Sequence, residues 1–228
     1  MPTTPSVLVF DVNETLIDIE SIAPLFAELF GQAEVLHEWF AQLVLYSMAV
    51  TLADRYVDFF TLGQGVLHML ADVYRVEVTD ADVGRLQEQM RTMPAHPDAL
   101  EALTSLRDNG FRLVTLTNSP HRSGVPTPLD NAGLADLFDQ QLSVESCRAF
   151  KPSPTVYQHA CEALGVVPTD CMMVAAHVWD LLGAQNVGFS TALITRPGNP
   201  PLPVQGLPQP TLVVGDLHQL AEELIAAS

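Results

Sequence analysis

The sequence predicts an α/β fold in which a parallel sheet carries helices on both faces and an all-helical segment is inserted after the first strand. Three observations carry this reading. Short, β-rich apolar runs recur along the chain. Amphipathic helical patterns separate most of them. One long stretch near the N-terminus has helical periodicity and no convincing strand.

Residues 6–10 read Ser-Val-Leu-Val-Phe, a short apolar run of the kind that a parallel strand buried on both faces requires. Residues 21–93 differ. Leu25, Leu29, Leu36, Phe40, Leu43 and Tyr46 fall near helical spacing, as do Phe59, Leu62, Val66 and Leu70. The ends of this stretch carry Pro24, Pro94 and Pro97. Further strands are predicted at 112–117, 171–176, 191–195 and 211–214, with a weaker one at 141–144. Helices are predicted at 97–108, 154–164, 179–187 and 217–227. Residues 197–210 hold six prolines in fourteen residues, which makes them an extended loop. There is no internal repeat.

Composition bounds the function. The 228 residues suffice for one large domain or a core with a smaller insert, and 48% of them are apolar, as in globular proteins. The formal net charge of −17 opposes nucleic acid and anionic membrane surfaces as partners. An anionic substrate would need a local positive site. The chain has one lysine, Lys151, against nine arginines. A composition bias explains the missing lysines but not the surviving one. Cys147, Cys161 and Cys171 form no CxxC or metal-ligand spacing and read as reduced thiols of a cytosolic protein. The first six residues lack a basic start and long apolar run, so no signal peptide is expected. No run of 18 uninterrupted apolar residues predicts a membrane span.

Four polar clusters sit at the C-terminal ends of the predicted strands, where ligands bind in open parallel sheets. The first is Asp11-Val12-Asn13-Glu14-Thr15. Asp11 can attack carbon or phosphorus to form a covalent intermediate, or it can cap a turn. In Thr117-Asn118-Ser119, neutral donors can hold a carboxylate or phosphoryl group, or cap the next segment. In Lys151-Pro152-Ser153-Pro154, the lysine can neutralise a nucleophile and substrate anion, or lie on the surface. In His177-Val178-Trp179-Asp180, a second carboxylate can orient water, bind a metal with Asp11, or complement a helix dipole.

In this order the motifs resemble the haloacid dehalogenase superfamily, over nearly the whole chain. The resemblance implies a Rossmann-like core at 1–18 and 95–228 and a helical cap domain at 19–94. Phosphatases of that superfamily carry a second Asp where Asn13 stands, and paired acids for Mg²⁺ where this strand ends Ala175-Ala176-His177. Asn cannot serve as a proton donor near neutral pH, and a lone Asp180 would bind Mg²⁺ weakly. The chain therefore looks most like the (S)-2-haloacid dehalogenase branch, with no cofactor; Mg²⁺ belongs only to the phosphatase alternative. A relative that merely binds a small acid is a third reading, disfavoured by the retention of Asp11, Lys151 and Asp180 together.

That branch implies metal-free hydrolysis of a 2-haloacid. Asp11 would displace halide to give an ester, and water positioned by Asp180 would hydrolyse it. Lys151 would keep Asp11 ionised. Thr15, Thr117 and Asn118 would orient the nucleophile and bind substrate beside Val12, with Tyr157 near the site. The resemblance also implies a homodimer. Three positions depart from it: Ala175 replaces Ser, His177 replaces Asn, and Phe40 stands where an early cap arginine receives the halide, no arginine preceding Arg55. The expectation that reconciles them is an N–H from His177 serving the leaving halide or substrate carboxylate. Phe40 and Trp39 would narrow the pocket to short acids such as haloacetates, fluoroacetate included.

Overall fold

The computed structural model describes residues 5–228. Residues 1–4, where the signal-peptide reading and the start of the 1–18 core segment fall, lie outside the described residues. The sheet consists of β1 (Val7–Phe10), β2 (Arg112–Thr117), β3 (Gln140–Ser143), β4 (Cys171–Ala175), β5 (Ser190–Ile194) and β6 (Leu212–Val214). Its order is β3-β2-β1-β4-β5-β6 and every pairing is parallel. All four residues of β1 are buried, because β1 lies centrally with helices on both faces. The strand order reverses between β1 and β4, and this switch point opens a crevice beyond their C-terminal ends.

Between β1 and the rest of the sheet come α1 (Ala23–Phe30), α2 (Val35–Leu52), α3 (Phe59–Tyr74) and α4 (Asp80–Arg91). The periodicity across 21–93 thus resolves into four helices. Gly31, at φ 75°, ends the first, and a Thr79/Asp82 capping box starts the fourth. Leu25, Leu36, Leu43, Phe59, Val66 and Leu70 are buried as expected, whereas Tyr46 is 40% exposed and lies off the buried stripe. The chain leaves and re-enters the core side by side. Ile17 bridges Ala95, Asp18 N–H donates to the Pro94 carbonyl, and His96 N–H donates to the Leu16 carbonyl.

By mean hydropathy α2 is long and apolar enough to cross a membrane, although His37, Glu38 and Gln42 interrupt its apolar run. One side of it packs into the fold, where Leu36, Trp39 and Leu43 are buried and Trp39 Nε1 donates to the Gly63 carbonyl at 2.9 Å, while Leu45 and Leu52 on the other side are exposed. The remaining helices are α5 (Ala99–Asp108), the short α6 (Pro128–Asn131), α7 (Pro154–Leu164), α8 (Val178–Val187) and α9 (Leu217–Ala226). Helix α5 packs on α9, and α7 packs on α8. Predicted strand and helix ends differ from the observed ones by one or two residues, as end fraying and capping dictate. Pro154 sits at the first turn of α7, where its missing N–H costs nothing.

Candidate active site

Asp11 follows β1, and its N–H donates to the Val174 carbonyl of neighbouring β4 at 2.9 Å. This bond places its carboxylate in the switch-point crevice. Thr15 Oγ1 donates to Asp11 Oδ2 at 2.9 Å and accepts from Ala176 N–H at 2.9 Å. Thr15 therefore ties the carboxylate to the end of β4. Lys151 Nζ donates to Asp11 Oδ1 at 2.8 Å and to Asp180 Oδ2 at 2.7 Å. Lys151 N–H donates to Asn118 Oδ1 at 3.1 Å.

Lys151 is fully buried. An isolated ammonium there would be prohibitive, so its two carboxylate partners are a condition of its burial. Burial depresses the Lys151 pKa, but Asp11 and Asp180 outweigh it and hold the group above its ordinary range. Burial pushes Asp11 up, but the charge and hydrogen bond of Lys151 and the nearby His177 imidazole pull it well below the usual carboxylate range. Asp11 is thus an ionised carboxylate. Asp180 is raised by burial and by repulsion from Asp11, against the pull of Lys151.

Asp180 is fully buried, and both of its oxygens are engaged. The Tyr157 hydroxyl lies 2.6 Å from Asp180 Oδ1 and 2.9 Å from its backbone carbonyl. Tyr157, expected to bind substrate, is itself fully buried and supports Asp180 from behind. The close approach of α8 to this region requires Gly183. A Cβ there would stand 2.6 Å from both the Pro152 carbonyl oxygen and Tyr157 Cε2.

His177 occupies the other side of Asp11. Its Nε2 lies 2.5 Å from Glu14 Oε2, and its Nδ1 lies 3.6 Å from Asp11 Oδ2. Nδ1 is buried and makes no hydrogen bond. Burial opposes protonation, but the nearby Asp11 carboxylate and the charge and hydrogen bond of Glu14 raise the imidazole to about 9. The ring stacks on Trp179 at 5.0 Å between centroids and meets Phe40 from α2 at 5.8 Å. Phe40 thus reaches the core side of the site through its contact with the His177 ring.

A cavity of about 340 Å³ separates the helical segment from the core. Val12, Asn13 and Thr117 line one side, with Trp39, Leu43 and Phe60 opposite. Thr117 Oγ1 accepts from Ser119 N–H at 3.1 Å, which fixes that strand end. Thr15, Lys151 and His177 thus stand against Asp11, Asp180 and Asn118 reach it through Lys151, Phe40 reaches it through the His177 ring, Val12 and Thr117 line the cavity, and Tyr157 stands behind Asp180. No cluster of three or more His, Cys, Asp or Glu side chains suited to a metal occurs among the described residues.

Sequence reasoning missed two supports. Arg196 spans Asp98 with bonds of 2.8 and 2.9 Å and donates to the Thr15 carbonyl at 3.0 Å. Asp98 also accepts from Leu217 N–H at 2.8 Å, so one ion pair joins the nucleophile loop to α5 and α9. No local pattern marks Arg196. Gly183 did leave a signal, since a glycine inside a helix costs stability unless close packing needs it.

A family profile described as haloacid dehalogenase-like hydrolase matches residues 5–188. The (S)-2-haloacid dehalogenase 4A of Burkholderia cepacia is 34% identical over 195 residues, covering 85% of this chain and 84% of that protein. A solved dehalogenase structure, described as an intermediate complex, superposes with a TM-score of 0.89 at 31% identity, covering 99% of each chain. The L-2-haloacid dehalogenase of Xanthobacter autotrophicus, solved with chloropropionic acid covalently bound, gives a TM-score of 0.87 at 25% identity. That match covers 98% of this chain and all of the other.

Proposed function

The chain belongs to the haloacid dehalogenase-like hydrolases, and from that membership and the site geometry we propose that it hydrolyses short 2-haloacids through an ester on Asp11. The single observation that carries this reading is the buried ammonium of Lys151 shared between Asp11 and Asp180. It keeps Asp11 charged and occupies the space between the two carboxylates. The arrangement therefore supplies internally the positive charge that a divalent cation would otherwise provide. Asn13, with no titratable proton, supports carbon rather than phosphorus as the electrophile.

In this reading Asp11 displaces halide from C2 of the acid by in-line attack. Lys151 stabilises charge on the Asp11 carbonyl when water later attacks it. Asp180 and Tyr157 hold Lys151 in place, and Thr15 fixes the carboxylate plane. Thr117, Asn118 and Val12 border the substrate. The Phe40 ring, with Trp39, limits the acid's chain length and favours haloacetates.

Halide release from a panel of 2-haloacids, with and without EDTA, tests the reading. Release insensitive to EDTA is the expected result. Single turnover in heavy-oxygen water should place label in Asp11 before it reaches product. EDTA-sensitive hydrolysis of phosphate esters with no halide release would replace this reading by the phosphatase one.

A further inference from the structure

The ester proposed above must be hydrolysed, and that step needs a base close to Asp11. Asp180 is poorly placed for it, being fully buried with Tyr157 on one oxygen and Lys151 on the other. His177 offers what Asp180 lacks. Its Nδ1 is buried, without a hydrogen bond, and 3.6 Å from Asp11 Oδ2. Its other nitrogen is held by Glu14. Glu14 takes a left-handed backbone (φ 62°), uncommon for a residue with a side chain. The turn is fixed by Glu14 N–H donating to the Ile17 carbonyl at 2.9 Å and by His96 Nε2 at 3.0 Å from the Glu14 carbonyl. This strained turn directs the carboxylate at the imidazole. Phe40 and Trp179 fix the ring plane. An acid, an imidazole and a reacting centre in that order form a general-base relay.

We propose that His177, oriented by Glu14, is the general base that activates water for hydrolysis of the Asp11 ester; the proposal rests on the ester-forming reading above. The proton inventory closes. In the resting enzyme His177 is an imidazolium between two carboxylates. Attack by Asp11 forms its bond to C2 and breaks the carbon–halogen bond, releasing halide. Asp11 is now an uncharged ester, so the carboxylate that favoured the imidazolium on the Nδ1 side is gone, and Nδ1 yields its proton to water that enters as the halide leaves, which carries it to solvent. Nε2–H stays with Glu14. Water then adds to the Asp11 carbonyl carbon while Nδ1 takes one of its protons. Collapse breaks the bond between that carbon and the ester oxygen. The departing oxygen takes the proton from Nδ1 to give the hydroxy acid. Asp11, left as a carboxylic acid, returns its proton to His177. The sum is haloacid plus water giving hydroxy acid, halide and one proton.

The charged and titratable groups facing His177 are Asp11 and Glu14 from the loop after β1. Lys151 and Asp180 stand behind Asp11, His96 stands behind Glu14, and α2 presents the Phe40 ring. Glu14 acts through His177 and is a positioning residue.

Rapid-quench experiments with bromoacetate, reading bromide and the intact mass of the protein, test the assignment. Wild type should release bromide continuously. Folded H177N should release a burst of about one bromide per enzyme and then stall as the ester-bearing protein, with ester hydrolysis slowed about a hundredfold or more. E14Q should slow hydrolysis less and move its pH limb about one unit lower, because the carboxylate that raises the imidazole is gone; E14D should restore the limb in part. Wild-type ester hydrolysis in H177N, or an unmoved limb in E14Q, overturns the proposal and leaves the ester-forming reading standing. A folded H177N with no burst also overturns it, by placing His177 in the halide-releasing step. Wild type that releases no halide from any 2-haloacid removes the ester-forming reading and this proposal with it.

Discussion

Replacing Lys151 by Met keeps an unbranched side chain, one heavy atom shorter, and removes its charge. Asp11 Oδ1 and Asp180 Oδ2 lie 2.8 and 2.7 Å from the same nitrogen, so these oxygens are at most about 5.5 Å apart. At an effective dielectric constant of about 20, two unit charges at that separation repel by about 3 kcal/mol. Removing one partner of a buried pair costs about 3–5 kcal/mol in general, which agrees with this figure. The sign with pH follows from the direction of the shifts. In wild type Asp11 is depressed, so it contributes stability above its unfolded pKa and loses it only as pH falls through its low folded value. In K151M the cation with the largest pull on Asp11 is absent, leaving only His177 beside it, and burial and mutual repulsion push both carboxylates up. They then cost stability above their unfolded pKa of about 4, and the cost fades as pH falls towards it. Urea unfolding should show a gap of about 3–5 kcal/mol between wild type and K151M near pH 7.5 and a smaller one near pH 4.5. K151M/D180N should recover part of the loss without recovering halide release. A K151M stability within about 1 kcal/mol of wild type near pH 7.5 would refute the argument, since even a single buried unpaired charge should cost more.

G183A drives a Cβ to within 2.6 Å of the Pro152 carbonyl oxygen and the Tyr157 ring; it should lower stability by about 1–3 kcal/mol in thermal unfolding and slow halide release by displacing the Lys151 loop. R196A leaves Asp98 without its bidentate partner and frees the Thr15 carbonyl; it should cost about 3 kcal/mol in urea unfolding, with halide release reduced even in the folded protein.

How much of this could be read from the chain depends on the range of the interaction concerned. The apolar run of β1 and the alternation of strands and helices are local, and they place Asp11, Asn118, Lys151 and Asp180 at one edge of the sheet. The preference for a lone lysine in an arginine-biased chain identified the residue that is fully buried between two carboxylates. What escaped depends on contacts across the fold. Arg196 reaches Thr15 over 181 positions of sequence, and nothing near Arg196 announces this. The family resemblance places Tyr157 near the substrate, but it does not say which face of α7 meets α8. Glu14 sat within the first motif, yet its importance lies in a backbone conformation and a partner 163 residues away.

The net charge poses the last question, because a haloacid is an anion approaching a chain of −17. The cavity answers part of it. Arg91 and Arg122 line it, and the Arg122 guanidinium lies 5.9 Å from the Phe60 ring centroid. Arg91 is paired with Glu88, which cancels much of its field, so Arg122 is the stronger attractor of the two. Two opposed contributions then act on an incoming carboxylate: repulsion from the whole chain and attraction from this rim. Exposed charges more than about 10 Å away are screened at about 0.1 M salt, whereas a nearby cation is screened less. In wild type, kcat/KM for a haloacetate should therefore change little between low and moderate concentrations of a non-halide salt. In R122Q the attraction is gone and the repulsion remains. Its kcat/KM should be several-fold lower than wild type at low salt and should climb towards it as salt is added, with the loss in KM rather than in kcat, as befits a cation that acts on the approach of the anion. A salt response in R122Q identical to that of wild type would mean that the anion enters without help from this rim, and that the neutral donors around Asn118 suffice to overcome the field of the chain.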